Sequence, residues 1–239
     1  MSGKQSMTQL SEMAVVTTVE SGKVFQREDS LAGEAGFKLK LNGREVVVAV
    51  CSPDRLIELM YGYLITEGLI KPGEQPVVTQ EDRGVVNAVV DQSKPPPEPQ
   101  PVRSDYCITP EVIFRQVKEF TDAGNTFKET GATHSAAIGT QNSLRCLAED
   151  ISRSAAFEKA VGCGYLEGID TSRSVVVLSS RVHSVFVRKS ATAGFPFIAA
   201  VSAPTTKAVK DAERLGICLC GFVRGERMNV YSNRWRLGL

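Results

Sequence analysis

Three short apolar runs, separated by stretches of helical length, constrain this chain more than any other feature of it. Val175-Val176-Val177-Leu178, Phe197-Ile198-Ala199-Ala200-Val201 and Ile217-Cys218-Leu219-Cys220-Gly221 show no polar alternation. A strand that is apolar at every position must be covered on both faces. The intervening segments, about 182–193 and 205–215, have helical spacing. Strand, helix, strand, helix and strand in succession predict a parallel sheet with helices packed on it, an α/β architecture.

The upstream half reads differently. Phe37-Lys38-Leu39-Lys40-Leu41 alternates apolar and polar, Asn42-Gly43 makes a turn, and Val46-Val47-Val48-Ala49-Val50 returns. Two strand-like runs around Asn-Gly predict a hairpin. Ser52-Pro53-Asp54 predicts a helix start, with Ser52 as N-cap and Pro53 at the first helical position. That helix is expected over 53–66, ending at Glu67-Gly68. Residues 85–90 predict a further strand, and 93–101 are proline-rich and therefore extended. Thr109-Pro110-Glu111 opens a helix reaching about Thr121; 135–138 and 144–147 predict strands, and 150–161 a helix. Residues 1 to about 13 are polar and expected to fray. The expected division is a smaller, more antiparallel α+β region over 1–104 and a layered α/β domain over 105–239.

Composition supplies exclusions. With 239 residues, 42 % of them hydrophobic, the chain can bury roughly 70–75 % of the surface its unfolded form exposes, and it needs neither disulfides nor metal to fold. A net charge of +1 offers no general attraction for nucleic acid or a membrane surface, so neither is an expected partner. Any anion site must be local. No apolar run suits a signal peptide, and none reaches the ~18 residues of a membrane helix. Cys51, Cys107, Cys146, Cys163, Cys218 and Cys220 are scattered through apolar sequence without framework spacing. That usage fits a reducing cytoplasm, with most thiols buried as small apolar groups.

In open α/β sheets, ligands collect beyond the carboxyl ends of the strands. Ser179-Ser180-Arg181, Ser202-Ala203-Pro204-Thr205-Thr206 and Phe222-Val223-Arg224-Gly225-Glu226-Arg227 follow the three runs. The first two place hydroxyls and backbone amides before a helix N-terminus, which suits an anion. Arg181, Arg224 and Arg227 add guanidinium forks matched to phosphate. The blander alternative makes Ser202 or Thr205 a simple N-cap and each arginine a solvated surface charge. Thr130-Gly131-Ala132-Thr133-His134 is another polar turn, its histidine either a structural hydrogen-bonder or a catalyst. His183 falls within a predicted helix and carries no predicted role. Glu149 and Asp150 either orient Arg153 or mark a helix start.

No metal signature is legible. Cys218 and Cys220 share one face of a strand and are expected in the core. The zinc deaminase pattern is absent, because Ser135-Ala136 follow His134 and no Pro-Cys-x-x-Cys occurs; no zinc is expected. A nucleophile elbow and a P-loop are absent too.

The order of several short motifs resembles the FdhD family from about residue 34 to 237. The matching pieces are Cys51-Ser52-Pro53-Asp54, Gly62-Tyr63-Leu64-Ile65-Thr66-Glu67-Gly68-Leu69-Ile70, and Thr130 to His134 with Ser135-Ala136-Ala137. Glu149-Asp150-Ile151-Ser152-Arg153, Leu178 to Arg181, Lys189-Ser190, Ala200 to Thr205, Gly221 to Gly225 and Asn229-Val230-Tyr231 complete the series. The resemblance implies a cytidine-deaminase-like fold and a cytoplasmic homodimer. It also implies a sulfurtransferase that accepts persulfide sulfur from a cysteine desulfurase and delivers it to bis-molybdopterin guanine dinucleotide, destined for formate dehydrogenase. The family's contact with the nucleotide end falls on Phe222, Val223, Arg224, Gly225, Glu226 and Arg227, implying a guanine nucleotide-type ligand. With Ser180, Arg181, Ser202, Thr205, Thr130 and His134, these make the expected cofactor-binding set.

Two departures from the family pattern matter. The family's sulfur-carrying Cys-x-x-Cys has no counterpart between Val90 and Tyr106, where this chain is proline-rich and cysteine-free. Cys107, just downstream, is the candidate for a relocated sulfur carrier, without a resolving partner. The family's Glu-Asp-x-Gly-Arg-His-Asn also becomes Glu149-Asp150-Ile151-Ser152-Arg153-Ser154-Ala155. Two functions stay open: an accessory sulfurtransferase using Cys107 or another exposed thiol, and a non-catalytic protein that holds or delivers the molybdenum cofactor. An unrelated hydrolase or deaminase finds neither zinc ligands nor a nucleophile–base pair.

Overall fold

In the computed structural model, which describes residues 10–71, 73–82, 84–90 and 98–239, the chain begins as a long ribbon. Strands β1 (Ser11–Glu20) and β2 (Lys23–Ala32) pair antiparallel along their whole length. The expected fraying of residues 1–13 therefore fails from Ser11 onward, where Ala14, Val15, Val16 and Val19 supply β-branched and small residues for a strand; residues 1–9 lie outside the described chain. Met13, Val15, Val19 and Val24 share one face of the ribbon and are 60, 67, 70 and 68 % exposed.

The Asn-Gly turn forms as its chemistry dictates. Asn42 and Gly43 adopt φ of 50° and 78°, linking β3 (Ala35–Leu41) to β4 (Arg44–Cys51). After α1 (Leu56–Thr66) come β5 (Val77–Asp82) and β6 (Val85–Val89), completing a four-stranded sheet of order β4-β3-β6-β5. Helix α1 starts later than 53, and Ser52 is not its N-cap. Arg55 takes that position with a left-handed φ of 52°. Ser52 is buried instead in a polar node: its N–H donates to Asp150 Oδ1 at 3.2 Å, and its Oγ accepts from Ile151 N at 3.3 Å. Of the proline-rich stretch, 91–97 lie outside the described residues and 98–101 are irregular.

Helix α2 (Pro110–Ala123) begins at Thr109-Pro110 as its sequence predicts. Then follow α3 (Thr126–Thr130), β7 (His134–Gly139), β8 (Leu144–Asp150), α4 (Arg153–Leu166), β9 (Val175–Leu178), α5 (Ser184–Thr192), β10 (Phe197–Ala200), α6 (Thr206–Leu215), β11 (Cys218–Arg224) and β12 (Arg227–Ser232). The six-stranded sheet has order β12-β11-β10-β9-β7-β8. Its centre, β9-β10-β11, is parallel as the three apolar runs require. The flanks are antiparallel, so the sheet is mixed. Two boundaries differ from expectation. His183 is the N-cap of α5 rather than a residue within it, and the third run continues to Arg224 because β12 folds back to pair with it.

The pleat sorts the apolar runs between two cores. Val176, Leu178, Ile198, Ala200 and Leu219 face α4, α5 and α6; Val175, Val177, Phe197, Ala199, Cys218 and Cys220 face α2. Cys218 and Cys220 are fully buried, as their shared face predicts. On the other side, α1 and α4 separate the two sheets and touch backbone to backbone. An ideal Cβ on Gly62 would lie 1.8 Å from the Glu158 carbonyl oxygen, and one on Gly162 1.9 Å from that of Glu58. The core cluster on this side therefore takes residues from both sides of position 104. Lys159, with no exposed side-chain surface, ties the layers electrostatically by pairing Asp150 Oδ2 at 2.6 Å and Asp54 Oδ1 at 2.7 Å.

Candidate functional site

The sheet brings five sequence segments to one edge. Strands β9, β10 and β11 end there, and β7, antiparallel to β9, begins there: Ala136 pairs with Leu178, which sets His134 beside the Ser179–Arg181 turn. Strand β8 also ends there, because His134 pairs with Asp150. The N-termini of α4, α5 and α6 consequently open on the same edge, where helix dipoles favour negative charge.

Several predicted site residues have local duties at this edge. Thr205 Oγ1 accepts from Ala208 N at 3.3 Å and caps α6. Thr130 Oγ1 donates to Thr126 O at 2.8 Å within α3. Ser180 is buried, its hydroxyl donating to the Arg181 carbonyl at 3.3 Å. Ser202 accepts from Phe222 N at 3.2 Å through its carbonyl. Val223 is in the core and Phe222 is exposed at φ 53°.

The cations have less to do. Arg224 and Arg227 stand directly opposite each other across the two-residue turn Gly225-Glu226. Like charges facing across a hairpin are destabilising unless something bridges them. Among the described residues, no carboxylate pairs with Arg153, Arg181, Arg224 or Arg227. Arg153 Nη1 donates to His183 Nε2 at 3.0 Å. An arginine cannot accept, so this bond requires neutral His183 with its proton on Nδ1. Burial, with Arg153 nearby, lowers the pKa of both His134 and His183; Arg181 adds to the effect on His183.

The paired roles weighed for Glu149 and Asp150 resolve elsewhere. Neither contacts Arg153. Glu149 caps α3, accepting from Asn125, Thr126 and Phe127 N–H groups at 3.0, 2.9 and 2.9 Å. Burial opposes its ionisation, but these backbone bonds win and hold the carboxyl below its usual value. Asp150 belongs to the Lys159 pair.

Beneath the edge, on the α2 side, lie two adjoining cavities. One, of about 460 Å³, is lined by Phe120, Phe127, Lys128, His134, Ser135 and Ser179 among others. The second, of about 920 Å³, is lined by Phe114, Arg115, Lys118, Val223, Arg224 and Glu226 among others. Thr121 and Val201 border both, so the two form one trough running from His134 to the β11–β12 turn. With strands about 4.8 Å apart, β7 to β11 spans roughly 14 Å, wider than a single phosphate. The contribution of α2 and α3 went unread in sequence. Its signal was the spacing of Glu111, Arg115, Lys118 and Thr121 along one helix face.

Cys107 is not part of this trough. It is exposed, in a separate cavity of about 520 Å³ with Thr140, Asp170, Arg173 and Ser174. Gly139 pairs with Val175, so that cavity lies at the amino ends of the parallel strands, the opposite edge of the sheet. Arg236 pins the segment there: fully buried, it donates to the carbonyls of Ser104, Tyr106 and Gly216 at 2.9, 3.1 and 2.9 Å. Of the remaining cysteines, Cys51, Cys218 and Cys220 are buried, and desolvation pushes the Cys51 thiol up to about 12.

A mixed-sheet α/β protein with unpaired arginines at its strand-end edge, Arg224 among them lining the trough, is what fold and edge define. The model of the FdhD/NarQ family matches residues 32–98 and 77–238, and the chain belongs to that family. Proteins named "Sulfur carrier protein FdhD" are similar along nearly their whole length. The one from Methanothermobacter thermautotrophicus is 28 % identical over 228 residues, covering 87 % of this chain and 92 % of the relative. That of Bacillus subtilis is 28 % identical over 246 residues, covering 91 % and 94 %, and that of Listeria innocua 29 % over 264 residues, covering 93 % and 97 %. The crystal structure of a protein described as a formate dehydrogenase accessory protein, from Desulfotalea psychrophila, superposes with a TM-score of 0.85 at 24 % identity, covering 96 % of this chain and all of that one. The α/β fold expected from the apolar runs is thereby shared with a solved member of the class.

Proposed function

We propose that this chain is an accessory protein of formate dehydrogenase maturation that holds bis-molybdopterin guanine dinucleotide, as cargo, along the carboxyl edge of its six-stranded sheet. The observation that carries this reading is the set of arginines without carboxylate partners at this edge, Arg224 among them lining a trough longer than one phosphate. A dinucleotide carries its negative charge on pyrophosphates distributed along its length, which suits cations set at both ends of such a trough. Arg224 and Arg227 would hold the guanine-nucleotide end, while His134, Arg153 and the N-termini of α4 and α5 would face anionic groups at the other. The names of the relatives and of the solved neighbour support the client enzyme, and a cytoplasmic setting is part of the same proposal. Two copies associate through the bare face of the β1–β2 ribbon.

A second reading, in which the chain also carries sulfur from a cysteine desulfurase, rests on Cys107, the exposed thiol among the six cysteines. Its position at the far edge argues against direct delivery into the trough. Both readings are tested together by calorimetry with guanosine diphosphate and by mass spectrometry after incubation with a cysteine desulfurase and cysteine. Guanosine diphosphate is expected to bind, and the Arg224→Glu/Arg227→Glu variant to bind on the order of tenfold or more weakly, given the strength of hydrogen bonds to charged groups. Equal affinity in that variant would remove the proposed site. The mass of one added sulfur atom on Cys107 would establish the relay; its absence, with nucleotide binding intact, leaves a cargo-binding protein.

A further inference from the structure

Cys146, Cys163 and Glu167 match no metal-ligand spacing in sequence, yet the fold brings them together. Cys146 lies in β8, the outer strand of the sheet. Cys163 is in the last turn of α4, and Glu167, one turn further, is the C-cap of that helix. The two Sγ atoms and a carboxylate oxygen all lie within 4.8 Å of one another, with Cys163 Sγ donating to Glu167 Oε1 at 3.6 Å.

The helix end favours a cation, against the Arg55 and Arg145 guanidinium groups nearby. Residues i and i+4 share one helix face, and the carboxyl end of a helix concentrates negative potential. Arg145 Nη2 holds Glu167 Oε2 at 2.6 Å, fixing the carboxylate with its other oxygen toward the thiols, in the way outer partners orient metal ligands. Cys146 has a φ of 50°, a strained conformation for a non-glycine residue that collects at functional positions. It sits opposite the register irregularity between Ala136 and Ile138 of β7. The two cysteines are half-buried and Glu167 is exposed, so an ion has access.

We propose that Cys146, Cys163 and Glu167 bind a thiophilic divalent cation of the zinc class. Two thiolates and one carboxylate are three protein ligands, a number that leaves the fourth tetrahedral position to water. Binding exchanges the two thiol protons, which pass to solvent, for one divalent cation; no oxidant or reductant takes part. The site is independent of the trough and of the cargo assigned to it.

The experiment is a Co(II) titration of the purified, reduced full chain. A sulfur-to-cobalt charge-transfer band with tetrahedral ligand-field bands is expected, saturating at one equivalent and bleached by Zn(II). Cys146→Ser and Cys163→Ser should each lose the band, and Cys107→Ser should keep it. Glu167→Gln should weaken binding about tenfold or more, at least as much as losing an outer partner does. Absence of the band at one equivalent would overturn the proposal, as would its survival in the Cys146→Ser/Cys163→Ser variant or its loss in Cys107→Ser. Zn(II) should also protect Cys146 and Cys163 of the unmodified chain from alkylation, read by peptide mass spectrometry. Equal labelling with and without zinc counts against the site without depending on how any variant folds.

Discussion

His134 and His183 each hold a proton less tightly than free imidazole, because burial and the neighbouring Arg153 penalise a second positive charge. Two opposite pH dependences follow. In the unfolded chain both rings take up protons near 6.5, while in the fold they resist until lower pH. The unfolded state therefore binds more protons in that window, and stability is lost as pH falls from neutrality through 6.5 toward the folded values. An anion held between these rings and Arg153 reverses the penalty, so binding of the cargo's anionic groups at that end of the trough takes up protons and tightens over the same descent. Thermal unfolding and calorimetry across that range check the two signs, and a His134→Gln/His183→Gln variant should flatten both profiles. At this scale the sequence was partly readable. Thr205 before a helix and Cys218 and Cys220 on one strand face declare their roles through local spacing. Arg153 with His183, and Cys146 with Cys163, do not, because what unites them is strand order rather than distance along the chain.

The helix crossing of α1 on α4 is the element-level feature with the sharpest consequence. No side chain separates the two backbones at Gly62 and Gly162, and an added methyl would overlap carbonyl oxygens rather than flexible side-chain ends. Gly62→Ala or Gly162→Ala should destabilise by about 3 kcal/mol or more, the upper part of the usual overpacking range, measured by urea unfolding. Gly168→Ala, at a positive φ with open space around it, should cost less and serves as the comparison. Elements with continuous apolar or Asn-Gly signatures were legible: β3, β4, β9, β10 and the start of β11. The ribbon β1–β2 and strand β12 were not. Strand β2, with Lys23, Arg27 and Glu28, lacks an apolar period, and the alternations Met13, Val15, Val19 in β1 and Met228, Val230 in β12 are too short or interrupted to stand out. Helix α1 was misplaced at its start because Ser52 is drawn into the buried Asp150–Lys159 node, a tertiary demand that outranks capping preference.

For the whole molecule, the ribbon stands out as an element whose stability its own chain explains poorly. Two strands alone are marginal in water, and beyond the contact of β2 with α3 this pair shows Met13, Val15, Val19 and Val24 to solvent on one face. Association of two copies through that face, part of the proposed function, would supply the missing cover. Sedimentation velocity should report a dimer, and Val15→Lys/Val19→Lys should shift it to monomer while leaving the far-ultraviolet dichroism intact; a monomeric parent protein would exclude this arrangement. The backbone-to-backbone crossing also decides how the molecule can move. Packed helices slide past one another through small side-chain adjustments, and at the Gly62–Gly162 crossing there are no side chains to adjust. Sliding of α1 on α4 is therefore resisted where the two glycines meet. A ligand entering the trough meets its rim first, where α3 and the β11–β12 turn line it.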